Sequence, residues 1–497
     1  MACRGYPDPF HVKSFSHHVS TDKATGLPPI LPKPASVLFQ TERDYRYFQS
    51  FCESTAAQLD GLIPSDLWSQ LILQIGDYNP SIRHGIIAIA ALDIISQISN
   101  TTNKKEHWLD INDHRHYALQ QYSLAIRNVR GLLSKGDKDL NTILIMCLVI
   151  ICFETFQGNH ECAFAHIAAG LRFIEEESTR TQIPGQKRST GFNPSVLGSI
   201  DESLVRAFLR LDIQARSFIH IRATDDHTFT PGLCSIPTQF RDLKEARNYL
   251  EGLTRRYLRL ASSMMPPDEH GGITGMQTFS EVAASLKDLR SRPDMEEGAR
   301  WFGECIHQWQ EAFDPLLIEA RTYQGRANLL GATILKYQYF NFWFALGFFQ
   351  PSGEIPRKWI DLTPFVREVI TLARTFLQHP DTSPNGSLFS VDFPMLHLLF
   401  KVALTCPHTG LRREATDLLL STPRREWLWN GKIAGRLAQK IIHIEEENIE
   451  GDFVPEHKRM TGMGLSFDLK ARTVTATAIM PRGEKLECIT VKEDLDL

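Results

Sequence analysis

HYALQQYSLAIRNVRGLL (116–133) places Leu119, Tyr122, Ile126, Val129 and Leu133 at steps of three, four, three and four. That spacing gathers five apolar side chains on one stripe of an α-helix and would scatter them over both faces of a strand, so the segment is predicted to be an amphipathic helix. Gly136 and Asp137 punctuate its end. ILIMCLVIICF (143–153) then marks a buried helix over about 139–156, too short to cross a bilayer and followed by Glu154. QGNH (157–160) supplies a Gly-Asn stop, and Phe164, Ile167, Leu171 and Ile174 carry the same stripe onward. Short turns between long amphipathic helices make antiparallel neighbours, and these three are expected to pack together as the core.

The pattern extends in both directions. SIRHGIIAIAALDII (81–95) reads as a helix, and so does TERDYRYFQSFCESTAAQL from Thr41, a suitable N-cap, with Tyr45, Phe48, Cys52 and Thr55 at helical spacing. Polar breaks at 178–200 and 263–276 precede helices over 299–317 and the aromatic run YQYFNFWFALGFF (337–349). Aromatic side chains bury large areas, so that run is assigned to the core. Leu437, Ile441 and Ile444 mark one more helix. The period then changes: LSFDLKARTVTATAIM and KLECITVKE alternate as strands about a Pro-Arg-Gly turn at 481–483. The fold class is all-α, a large multi-helix domain of antiparallel helices with a short C-terminal β-hairpin. The chain divides into a proline-rich linker at 1–40, a helical domain at 41–450 and a tail with the hairpin at 460–497.

Composition narrows the function classes. The chain has 497 residues, 42% hydrophobic and 23% charged, which is ample for a buried core. A net charge of −4 gives no global attraction to phosphate. The first residues hold Pro7, Pro9 and His11 where a secretory signal needs an apolar run. Nine cysteines (3, 52, 147, 152, 162, 234, 305, 406 and 488) form no CxxC pair, and an odd, unspaced set points to free thiols in a reducing compartment.

Motifs for catalysis are missing: no GxSxG, GxxxxGK[ST] or HExxH occurs. His114 and His116 are two residues apart and point to different faces of a helix, so they read as a solvated helix start rather than metal ligands. His17-His18 lies in the linker, and Asp225-Asp226 has no second acidic cluster and sits in a turn beside Thr228 and Pro231. No catalytic, cofactor-binding or metal-binding residue is assigned. A partner-binding helical scaffold therefore outranks an enzyme, but the period of about 34 residues expected of a tetratricopeptide-like solenoid does not recur.

Residues 42–176 carry a specific resemblance. ERDYRYFQSFCESTAAQLDGLIPSDLWSQLILQ, PSIRHGIIAIAALD, HYALQQYSLAIRNVRGLLS and LIMCLVIICFETFQGNHECAFAHIAAGLRFI resemble, in order, the regulatory domain of fungal binuclear zinc cluster transcription factors. LRREATDLLLSTPRREWLWNGKIAGRLAQKIIHIEEE at 411–447 extends the likeness across roughly 42–450, and SFDL at 466–469 fits the family's ending. The resemblance implies a nuclear transcription regulator, not an enzyme, with partners in the transcription machinery and homodimerisation within its repertoire. It also implies an upstream DNA reader in which six cysteines share two zinc ions, commonly ending in a cysteine, one residue, then Gly-Tyr. Cys3-Arg4-Gly5-Tyr6 matches that ending, so Cys3 looks like a sixth ligand, a remnant unable to hold zinc alone because a structural zinc site needs four ligands. In this form the chain is expected to bind DNA only weakly or indirectly, with no membrane contact. A peptide-binding scaffold outside transcription and a helical enzyme are the rival readings.

Overall fold

A computed structural model describes residues 38–63, 65–99, 108–134, 139–181, 200–218, 236–263, 293–347, 359–379, 389–390, 395–422, 424–426, 429–460, 462–468, 473–482 and 485–494. Helices dominate. The first, α1 (Glu42–Ser50), starts at a capping box: the Thr41 hydroxyl accepts from Asp44 N, and the Asp44 carboxylate accepts from Thr41 N. It runs through a π-helical turn at Phe51–Thr55 into α2 (Ala56–Asp60), which Gly61 ends at φ 76°. A second π turn (Leu67–Leu71) leads into α3 (Ile72–Tyr78). Then come α4 (Pro80–Ser99), α5 (Trp108–Ser134), α6 (Leu140–Phe156), α7 (His160–Thr181) and α8 (Glu202–Phe218).

α4 lies at the centre of this half. α5 packs along one side of it and α6 along another, while α6 in turn packs on α7 and α7 on α8. Of the three helices expected to pack together as the core, α5 and α6 thus pack on a fourth, α4, and α7 packs on α6. Close approach explains why. A Cβ on Gly85 of α4 would lie 2.4 Å from Val149 Cγ1 of α6, and one on Gly170 of α7 would lie 2.1 Å from the Phe208 ring of α8. By composition alone Pro80–Ile98 could span a membrane, but Ile86, Ile87, Ala88, Ile89, Ala90 and Ala91 are buried in this core.

The stripe on α5 is rotated from the predicted one. Ala118, Gln121 and Ala125 are buried, whereas Leu119 is 45% exposed. Small side chains let α5 approach α4, and the larger Tyr122 stacks on Phe153 of α6 at 3.8 Å and 8°. The His114 and His116 pair lies inside α5, whose first residue is Trp108, and so not at a helix start.

The second half holds α9 (Leu243–Ser263), α10 (Pro293–Ala320), α11 (Leu329–Gly347), α12 (Trp359–Gln378), α13 (Met395–Thr405), α14 (Thr409–Ser421) and α15 (Gly431–Glu445). The described part of the aromatic run, to Gly347, falls on α11 and is core as expected: Tyr337, Tyr339, Phe340, Phe342 and Phe344 are buried. Two-residue strands β1 (Phe389–Ser390), β2 (Arg425–Glu426) and β3 (Trp429–Asn430) form a small sheet. The terminal hairpin is present as β5 (Thr473–Arg482) against β6 (Lys485–Asp494), with Arg482 opposite Lys485. A third strand, β4 (Gly462–Asp468), pairs antiparallel with β5, because the apolar alternation read as one long strand breaks between Asp468 and Thr473. Rather than standing apart as a tail, this meander puts Val474, Ala476, Ala478, Met480 and Val491 into the core of the second half.

Among the described residues, the buried apolar side chains fall into two clusters. One runs from Tyr47 to Ala215 and the other from Phe240 to Val491, joined there by the buried Ile63 from the first half. Cys52, Cys147, Cys152, Cys162 and Cys406 are free thiols, but Cys305, buried on α10, is disulfide-bonded, contrary to the expectation of free thiols throughout.

Candidate functional site

Three polar constellations stand out. The first clasps α1 to α5. The buried Asp44 carboxylate accepts from Tyr117 OH at 2.5 Å and from Gln121 Nε2 at 2.8 Å, while Gln121 Oε1 lies 2.6 Å from His84 Nδ1. Tyr47 OH and His114 Nδ1 are 2.5 Å apart, and Arg43 donates to Asp113 at 2.7 Å with its guanidinium 4.0 Å above the Tyr117 ring. Burial and the hydrogen bond to Asp44 push the Tyr117 hydroxyl up to about 12, so it stays a donor. His116 faces elsewhere, bonded to Gln120. The clasp fixes one helix on another.

The second knots α13, α14 and α15. Arg412 and Glu445 have no exposed side-chain surface and are ion-paired. Arg412 Nε also donates to Ala403 O at 3.0 Å, and Glu445 Oε1 accepts from Met460 N at 2.7 Å.

In the third, Glu426 on β2 accepts from Leu396 N at 2.6 Å and Arg424 Nε at 2.8 Å, capping the start of α13 from another element. Burial raises the Glu426 carboxyl to about 7 despite these donors. Burial, helped by the charge of Arg425, next to Glu426 in sequence, pushes His160 at the start of α7 down to about 4, so its imidazole is neutral near pH 7. Perturbed pKa values often mark active sites, but here both Glu426 oxygens are committed to structural donors.

Cys3 with Arg4, Gly5 and Tyr6, His17-His18 and Asp225-Asp226 lie outside the described residues. Among the described residues no group of three or more His, Cys, Asp or Glu side chains is placed to hold a metal ion. Sequence reasoning missed Asp44, Gln121, Arg412 and Glu426, because a buried polar residue in an apolar stripe carries no periodic signal of its partner.

A large helical domain of two packed cores, tied by structural polar networks, defines the class. The sequence model of the fungal specific transcription factor domain matches residues 46–322, from α1 through the first core and α9 to the end of α10. The chain belongs to that family, and its role is in the regulation of transcription. It is 22% identical over 306 residues to the transcription regulator lscL of Purpureocillium lilacinum, an alignment covering 58% of this chain and 71% of that protein. It is 28% identical over 146 residues to the aspercryptin biosynthesis cluster-specific transcription regulator atnN of Emericella nidulans, covering 29% of this chain and 22% of that one. No solved structure matches the chain.

Proposed function

We propose that this chain works as the regulatory domain of a nuclear transcription regulator through protein contacts and without catalysis. Its partners are components of the transcription machinery or a second copy of the chain, and DNA is reached weakly or indirectly. The observation that carries this reading is the family match over 46–322, which takes in the first core and the helices α9 and α10 of the second. The charge distribution supports indirect DNA contact: on α9, Arg255 and Arg259 are engaged by Asp212 and Glu175, which keeps them from phosphate. Cys3 is assigned as the last ligand of a six-cysteine module whose other five ligands would lie upstream.

Fusing the chain to an unrelated DNA-binding domain and measuring a reporter tests the role. Transcription should rise or fall relative to the DNA-binding domain alone. A folded, nuclear fusion that moves the reporter in neither direction would refute the reading. For Cys3, metal content decides: the chain as it stands should bind no stoichiometric zinc, and an upstream-extended chain should bind two ions, one fewer or none counting against the assignment.

A further inference from the structure

The two apolar clusters meet across a polar junction, and α9 supplies its cations. Arg247, Arg255 and Arg259 stand at steps of eight and four, which places them within one third of the helix circumference. Arg255 Nε pairs with Asp212 of α8 at 3.0 Å and its Nη2 lies 3.7 Å from Glu175 of α7. Arg259 Nη2 reaches the same Glu175 at 2.6 Å. Further along, Arg247 Nη1 donates to Ile63 O at 3.2 Å, at the turn whose Ile63 side chain is the apolar peg set into the second cluster. A Cβ on Gly331 of α11 would come within 3.3 Å of that peg, so the socket is tight.

We infer that α9 is a reversible charged seam: its arginines hold the two cores in register, and the cores separate as units when the seam is broken. The physical reason is the type of contact. An apolar junction would merge the two clusters into one core, whereas buried ion pairs fix geometry while adding little net stability, since desolvation offsets much of their attraction. Internal interfaces that are polar permit relative motion of the parts they join. The pair most open to control is Arg259–Glu175, whose side chains are 25% and 40% exposed and so within reach of salt or a competing charged partner. This conformational device goes beyond the role in transcription and does not depend on it.

The test follows urea unfolding of the full chain by hydrogen exchange and mass spectrometry, reading α4–α6 for one core and α11–α13 for the other. In low salt the wild type should lose both cores at one midpoint. Arg259→Glu should split the midpoints by about 0.5 M urea or more, the scale of one weak coupling lost. Coincident midpoints in Arg259→Glu overturn the seam, as does a wild type already split in low salt. Should Arg259→Glu not fold, salt on the wild type decides. At about 1 M NaCl, where the screening length is about 3 Å, separating midpoints support the seam and coincident ones overturn it.

Discussion

Arg412 and Glu445 show how a buried pair can be costly to break and cheap to replace. Neither side chain is exposed, and together they also hold Ala403 O and Met460 N. Glu445→Gln removes the nearer of two carboxylates from a guanidinium in a dry site, leaving Glu446 Oε1 at 4.0 Å from Arg412 Nε, and should cost about 3 kcal/mol in chemical unfolding. The double change Arg412→Met with Glu445→Leu removes both charges and should recover most of that loss. A double variant as unstable as the single would show that the pair contributes more than mutual neutralisation. Gly170 makes the steric counterpart. Any Cβ there would meet Phe208 Cε1 at 2.1 Å, and Phe208 is fully buried, so the ring must move or α7 and α8 must part. Gly170→Ala should therefore destabilise by about 1–3 kcal/mol, despite the better helix propensity of alanine. An unchanged melting temperature would rule out the tight crossing. Gly170 follows Ala169 in an ordinary helical stripe, so nothing in the sequence announced this crossing.

Helices were legible because their signals are local: a step of three and four, an N-cap, a Gly-Asn stop. Gly158 of that stop does adopt φ 78° after α6, and Asp139 caps the same helix from the other end. What the sequence hid are relations between elements, such as Glu426 of β2 capping α13 and the charge of Arg425 on β2 acting on His160 of α7. Their titrations oppose one another. The Glu426 carboxyl is raised by burial from 4.5 to about 7, so between those pH values the folded state holds a proton the unfolded chain has lost. Stability from this group falls as pH rises through that window. His160 is lowered by burial and Arg425 from 6.5 to about 4, so there the unfolded chain takes up the proton first. Its contribution is present above pH 6.5 and is lost as pH falls toward 4. Over their common range the two slopes cancel. Glu426→Gln should leave urea midpoints rising with pH between about 4 and 6.5, and His160→Gln should leave them falling between about 4.5 and 7. Variant profiles parallel to the wild type would mean that neither group titrates in this way.

At the scale of the whole molecule, a helical domain and its terminal strands could be read from the chain, but its division into two cores could not. Periodicity shows which residues are buried and is silent about which buried residues meet. The C-terminal meander makes the division testable. Its inward residues Val474, Ala476, Ala478, Met480 and Val491 belong to the second cluster, none belongs to the first, and Ile489 packs against the second. Glu493 on β6 is ion-paired with Arg436 of α15 at 2.9 Å and with Lys440, whose Nζ also donates to Lys492 O at 3.0 Å. Ending the chain after Met460 would bare apolar surface on the second core and leave those two cations of α15 without Glu493. Each large apolar side chain uncovered costs roughly 1.5–3 kcal/mol, so the loss exceeds the stability of many domains. The truncated chain should therefore expose its second core to exchange and to apolar dye, while α4–α6 keep their protection because the strands supply nothing to that cluster. Equal loss of protection in both cores would mean that the chain folds as one cooperative unit, with the meander closing the whole of it.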